Sequence, residues 1–198
     1  MVDLTLYHGT LSKRADDIIK TQQFIPGEDE ENSDFLGKGV YFWEDPLEAV
    51  DWNKRNFLKY FRGTKIWKVM WYYCVLEAQI ITEDETVFDL NMRKCLAVFK
   101  EFREIVEQKL KREGKITIDV DSLTDAVIIN YIFMHNMLEG IKILKRSYTV
   151  KDNSSQRGKS MLNSVSRIMY CVKDSQIIRN VRKYTNIKNE ELKLLKIN

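Results

Sequence analysis

His8, with Gly9 and Thr10 after it, is one of only two histidines in the chain. A neutral imidazole can donate or accept a proton near physiological pH, and a neighbouring glycine lets a ligand approach the backbone. Leu4 and Leu6 alternate with Thr5 and Tyr7, which predicts a short strand ending at His8, where sites are often hosted. The same residues also suit an ordinary strand end. His135, in Phe133-Met134-His135-Asn136, has no metal-ligand spacing around it and reads as an ordinary helix or loop histidine. Gly37-Lys38-Gly39 offers backbone amides to a phosphate, but no Gly-Lys-Ser/Thr follows, so the Walker pattern is absent. Gly-x-Ser-x-Gly and His-Glu-x-x-His are absent too. Cys74, Cys95 and Cys171 are odd in number and form no CxxC pair, which argues against a disulfide scaffold or zinc ribbon and for a reducing compartment.

The elements that must position these residues follow from spacing and caps. Ser12 reads as the N-cap of a helix to about Lys20, and Gly39-Val40-Tyr41-Phe42 reads as a strand. Asp45-Pro46-Leu47-Glu48 starts a second helix, with Asp45 capping, Pro46 at the first helical position and Glu48 closing a capping box. That helix is expected to run to about Phe57. Residues 65–77 are β-branched and aromatic and predict a long strand. Met92, Cys95, Leu96, Phe99, Phe102, Val106 and Leu110 form one apolar stripe, predicting a helix over about 92–112 that Gly114 ends. Further strands are expected at Ile116–Val120, Ala126–Asn130, Ile168–Lys173 and Gln176–Val181, and Lys151 to Ser160 reads as an exposed loop. Strands and helices without regular βαβ alternation indicate an α+β fold.

The 198 residues, 44% hydrophobic, suffice for one domain spanning 1–198 with a sizeable core. Apolar runs such as Val127-Ile128-Ile129 fall far short of the roughly 20 residues that a bilayer helix needs. The first residues show no basic-then-apolar signal pattern, so a cytoplasmic protein without a membrane partner is expected. The net charge of +3 hides an asymmetry. Residues 140–198 hold 14 Lys and Arg against 4 Asp and Glu (+10), whereas the remaining residues hold 18 against 25 (−7). A basic C-terminal third suits an anionic partner such as nucleic acid, or else a solvated surface balancing an acidic half.

Taken together, Leu6-Tyr7-His8-Gly9-Thr10, Leu36-Gly37-Lys38-Gly39-Val40-Tyr41-Phe42 and a helix bearing Ala49-Val50-Asp51-Trp52 resemble the diphtheria-toxin-like ADP-ribosyltransferases. The likeness is to the poly(ADP-ribose) polymerase signature, in which a second aromatic follows the motif tyrosine by eleven residues, as Trp52 follows Tyr41. It covers residues 4 to about 57, and less fully a late strand at 167–178. The resemblance implies two packed, mainly antiparallel sheets around an NAD cleft with flanking helices. The acidic residues within about 25–36 would be the donor loop. It implies NAD as co-substrate and no metal. His8 would bind the nicotinamide ribose, Gly9 the carboxamide, and Thr10 would be its small hydroxyl neighbour. Tyr41 and Trp52 would stack on nicotinamide. Aromatic faces hold a flat cationic ring, and a preorganised site stabilises the oxocarbenium-like centre formed as the nicotinamide bond breaks.

Two departures bear on activity. The helix hydroxyl that often contacts the carboxamide falls at Ala49, and methionine stands where the catalytic glutamate opens the late strand, at Met169 of Met169-Tyr170-Cys171-Val172-Lys173-Asp174. Methionine sulfur is a weak acceptor and cannot activate a nucleophile. Asp174 and Gln176 are polar candidates nearby if the frame shifts. The expected activity is transfer of a single ADP-ribose to a protein or nucleic-acid acceptor, as in a microbial toxin, a defence effector with an antitoxin partner, or a phage-encoded modifier. The catalytic set implied is His8, Tyr41 and the degenerate Met169. Alternatives are an inactive NAD or ADP-ribose binding module, and an RNA 2′-phosphotransferase. The arginine-rich site of the latter has no clear match among Arg14, Arg55 and Arg62.

Overall fold

A computed structural model describes residues 1–24, 35–60, 72–113, 123–151 and 164–185. In chain order these form β1 (Val2–Leu11), α1 (Ser12–Thr21), β2 (Val40–Trp43), α2 (Pro46–Tyr60), β3 (Tyr73–Thr82) and β4 (Val87–Asp89). There follow α3 (Arg93–Arg112), α4 (Asp125–Met134), β5 (Ile143–Lys151), β6 (Ser164–Val172) and β7 (Ile178–Lys183). The class is α+β. The expected pair of packed sheets is replaced, among the described residues, by one seven-stranded sheet of order β4-β5-β6-β2-β1-β3-β7. Only the β4–β5 pair is parallel.

Each face of this sheet buries its own apolar cluster, which is what side-chain alternation along a strand produces. On one face Trp43, Val75, Leu144, Met169 and Cys171 pack with Ala49 and Val50 of α2, Phe99, Val106 and Leu110 of α3, and Ile128, Ile129 and Ile132 of α4. On the other, Leu6, Phe42, Leu76, Ile80 and Tyr170 pack with Ala15 of α1 and with Phe24. The helix expected over 92–112 therefore forms, but the buried part of its stripe is Phe99, Val106 and Leu110, with Met92 and Leu96 exposed, and each fully buried side chain contributes about 1.5–3 kcal/mol by area. Asp125 ties the layers together, taking Arg103 from α3 and Arg146 of β5, the latter at 2.9 Å.

Several local expectations are corrected. β1 does not end at His8 but runs to Leu11, held along its length by ten register pairs with β3. Ser12 is the first helical residue rather than the cap, which falls at Leu11 without a side-chain bond. Ala126–Asn130 is helical rather than extended. Thr124 caps the turn by accepting the Val127 N–H, and burial of Ala126, Ile129 and Ile132 repeats every three residues against the sheet. Packing there overrides the β preference of Val127, Ile128 and Ile129. β3 extends to Thr82, beyond the expected end at Leu76-Glu77, while residues 65–71 lie outside the described residues. The expected strand Ile116–Val120, Gly114, most of the acidic 25–36 segment and the loop from Asp152 to Ser160 also lie outside them.

Candidate functional site

Tyr41 on β2, His8 on β1 and Met169 on β6 occupy three adjacent strands at the centre of the sheet, and α2 crosses over them. α2 starts where Asp45 Oδ1 accepts the Leu47 N–H at 2.8 Å. Glu48 turns away from the capping box and pairs instead with Arg167 of β6. Trp52 then stands one turn further along α2. Its ring lies 6.3 Å from that of Tyr41 at an interplanar angle of 15°, and 5.2 Å from that of Trp43. A third ring between two parallel ones needs about 7 Å, twice the aromatic contact distance. The centroid separation is the largest gap the two planes can have, so at 6.3 Å Tyr41 and Trp52 face each other with less room than a third ring needs.

The Tyr41 hydroxyl donates to the Gly37 carbonyl at 2.6 Å and accepts the Leu36 N–H at 3.2 Å, fixing the glycine-containing loop against the ring. Asn130 accepts the Lys38 N–H at 2.6 Å, and Lys173 donates to the Leu36 carbonyl at 2.7 Å. Burial pushes the Lys173 ammonium below its ordinary pKa. Gly37 has φ 70°, and a Cβ there would stand 2.3 Å from Asn130 Oδ1. This loop carries β2 into the site and is bound from three sides.

β1 and β2 meet in register at Tyr7 opposite Trp43. Past that point His8 Nδ1 lies 2.8 Å from the Tyr41 carbonyl oxygen. A carbonyl only accepts, so Nδ1 carries the proton and Nε2 is left as an acceptor. The imidazole packs against Phe24 and Phe42, and that burial pushes its pKa down to about 4 despite the bond to Tyr41. His8 and the Tyr41–Trp52 pair are thus joined through the Tyr41 carbonyl, but the two ring sets pack with opposite faces of the sheet.

Gly9 lies directly beneath α2. A Cβ at that position would stand 2.4 Å from the Ala49 carbonyl oxygen and 2.6 Å from Asn53 Oδ1. Close helix packing is therefore one reason for glycine here. Thr10 is buried, in register with Cys74 of β3. Met169 is 2% exposed, opposite Trp43 on one side and Arg146 on the other. It lines the core beside the aromatic pair and presents no carboxylate. Asp174 instead caps the turn after β6, accepting the Gln176 N–H at 3.0 Å. His135 ends α4 with its ring 4.2 Å from Tyr131.

The arginines considered for a phosphotransferase site do not converge. Arg14 is on α1, which packs on the face opposite α2, Arg55 is engaged with Asp51, and Arg62 lies outside the described residues. Sequence reasoning passed over an ion cluster. Arg167 Nη1 stands 2.8 Å from Glu48 Oε2 and 2.6 Å from Asp51 Oδ2. Glu48 and Asp51 are three residues apart on one helix face, but nothing local pairs them with a residue more than a hundred positions later.

Among the described residues no group of three His, Cys, Asp or Glu side chains is placed to hold a metal ion, and no helix is long and apolar enough to cross a membrane. No family model matches the chain, and no solved structure matches it. The chain is similar to an uncharacterized protein of Methanocaldococcus jannaschii, at 25% identity over 92% of this chain and 88% of that one.

Proposed function

We propose that the Tyr41–Trp52 pair, where β2 meets α2, binds NAD, and that the protein transfers one ADP-ribose from it to a protein or nucleic-acid acceptor. The observation that carries this reading is the near-parallel pair Tyr41 and Trp52, 6.3 Å apart. Two near-parallel aromatic faces suit a flat cationic ring once they part to admit it, because the ring then gains dispersion on both faces and cation–π attraction besides. His8 packs on the opposite face of the sheet and reaches this pair only through the Tyr41 carbonyl, so it holds the strand that carries Tyr41 and does not face the same space. Gly9 lies beneath the same helix, where Ala49 and Asn53 fill the space above its backbone, so its role here is to let α2 pack closely. The reading is that of an ADP-ribosyltransferase acting in the cytoplasm, with NAD as co-substrate.

A second reading, an inactive NAD or ADP-ribose binding module, is favoured by Met169, whose buried side chain offers no base. Incubation with labelled NAD and a cell lysate separates the two. Label on protein or on nucleic acid supports transfer and identifies the acceptor class. Label recovered only as intact NAD, with NAD binding seen by calorimetry, supports the binding module. Absence of NAD binding removes both.

A further inference from the structure

Among the described residues the buried polar side-chain atoms without a hydrogen-bond partner are Trp43 Nε1, Glu48 Oε2, Asn53 Oδ1 and Arg167 Nε. All four belong to α2 or to the strands it covers. Asn53 is 1% exposed, and its Oδ1 faces Gly9 while its Nδ2 donates to the Cys74 carbonyl at 3.1 Å. Trp43, also 1% exposed, lies in register with Met169. Buried groups of this kind require a partner, and of the four Glu48 Oε2 and Arg167 Nε lie on one ion pair, which marks that pair as a place where a polar ligand or ordered water belongs.

Arg167 precedes Met169 by two residues on β6, so both side chains rise toward α2. The row in which the late strand lacks a carboxylate therefore begins with an arginine that holds two carboxylates from the helix. Asp51 is committed twice, to Arg167 at 2.6 Å and to Arg55 at 2.9 Å. Burial opposes its ionisation, but these cations outweigh burial and keep it below its ordinary pKa. Glu48 is the carboxylate with capacity to spare. It is in ion-pair range of Arg167, yet that oxygen accepts no hydrogen bond, and its side chain is 14% exposed. Trp52 follows it by one helical turn, so acid and stacking ring share a helix face.

We propose that Glu48 is the acidic group of the NAD site, supplied by α2 in place of the carboxylate absent from β6 at Met169. The proposal rests on the NAD reading above. In the reaction the bond from ribose C1′ to the nicotinamide nitrogen breaks, and its electron pair leaves with nicotinamide. The acceptor nucleophile bonds to C1′ and its proton passes to the Glu48 carboxylate. Nothing is oxidised or reduced. Burial pushes Glu48 up to about 7 against the pull of Arg167, with Asp45 and Asp51 raising it and Arg55 lowering it. The groups facing it are thus Arg167 from β6 and Asp45, Asp51 and Arg55 from α2 and its approach, with Tyr148 of β5 in register beside Arg167. A base with a pKa near the working pH combines availability with driving force.

The test is NAD consumption by the full chain with lysate as acceptor, measured across pH beside NAD binding by calorimetry. In the wild type, turnover rises with pH through about 7. Glu48→Gln lowers turnover about 100-fold, the scale of a lost general base, while NAD affinity changes less than about threefold. Its rising limb disappears. Arg167→Met removes the cation that favours the ionised carboxylate and moves the limb upward by roughly one unit. If Glu48→Gln does not fold, that shift decides. Unchanged turnover and pH profile in folded Glu48→Gln, an unmoved limb in Arg167→Met, or NAD binding without turnover at any pH overturns the proposal and leaves the NAD site standing. Absence of NAD binding in the wild type overturns the NAD reading itself.

Discussion

Tyr41 and Trp52 face each other 15° from parallel at 6.3 Å, although they come from different elements, β2 and α2. The Asp45-capped turn between them sets the spacing, and Trp43 behind Trp52 supports one wall while the Gly37 loop supports the other. If this pair holds nicotinamide, Tyr41→Ala removes one stacking face, worth on the order of 1 kcal/mol or more, and weakens NAD binding roughly tenfold. Tyr41→Phe keeps the ring but breaks the hydroxyl bonds to Gly37 and Leu36, so it separates stacking from loop anchoring. Calorimetry should show a much smaller loss for Tyr41→Phe than for Tyr41→Ala. Equal NAD affinity in folded Tyr41→Ala would exclude the pair as the binding site.

The two histidines make His8 directly observable by NMR, with His8→Gln assigning its resonance. Its pKa is lowered to about 4 by burial, from an ordinary 6.5. As pH falls from 6.5 toward 4 the unfolded chain takes up a proton that folded His8 refuses, so this contribution to stability is full above 6.5 and declines across that window. The total is at most about 3 kcal/mol. The His8 ring resonance should hold its neutral shift to about pH 4; a midpoint near 6.5 would show that the imidazole is open to water.

Glu48 has the opposite sign. Its pKa, raised from 4.5 to about 7 by burial, means that the fold favours the protonated acid and loses stability as pH rises through that range. A neutral isostere escapes the cost of burying the charge while Asp51 still holds Arg167. Glu48→Gln is therefore expected to melt no lower than the wild type at pH 8. A structural ion pair behaves otherwise, because losing one partner leaves a buried charge uncompensated. Thermal melts of both proteins at pH 5 and pH 8 make the comparison.

The placement of Tyr41 beside Trp52 was legible because its signals are local. Asp45-Pro46 announces the start of α2, the spacing from Tyr41 to Trp52 is carried by one strand, turn and helix, and the α3 stripe declares its own helix. What escaped is set by distant packing. Val127-Ile128-Ile129 reads as strand until the sheet and α3 are there to bury one helical side of it. Arg167 becomes a partner of Glu48 only once β6 lies beside β2 and α2 crosses both, a relation that no spacing within either segment encodes. For the same reason the continuous sheet could not be told from two sheets, since the order β6-β2-β1 depends on pairings across more than a hundred residues.

Gly9→Ala tests the packing of α2 on β1. The added Cβ meets the Ala49 carbonyl oxygen at 2.4 Å, and backbone on both sides gives poorly. Overpacking of this kind costs about 1–3 kcal/mol, and α2 must lift to relieve it. Lifting α2 displaces Trp52 from Tyr41. The variant should therefore melt several degrees lower and also bind NAD more weakly, measured by calorimetry at a temperature where it remains folded. A lower melting point with unaltered NAD affinity would place the ligand away from this helix.

Met169→Glu asks whether the late strand can take the carboxylate it lacks. Position 169 is 2% exposed, between Trp43 and Arg146 in register, so the new carboxyl enters the core. Trp43 Nε1 has no partner and is the nearest donor by register, while Arg146 is already engaged by Asp125 at 2.9 Å. Burial raises the pKa of the introduced acid, and the variant loses stability as pH rises past the ordinary carboxylate range, by about 2–3 kcal/mol for a shift of about two units. Its melting point should approach that of the wild type near pH 4 and fall behind it at pH 8. If NAD lies beside this row, the variant hydrolyses NAD faster than the wild type at the upper end of the range where it stays folded. If the NAD reading holds, the wild type should make no chains of linked ADP-ribose, because Met169 offers no carboxylate for elongation. Long polymers formed by the wild type with labelled NAD would show that another residue of β6, not Met169, occupies the position.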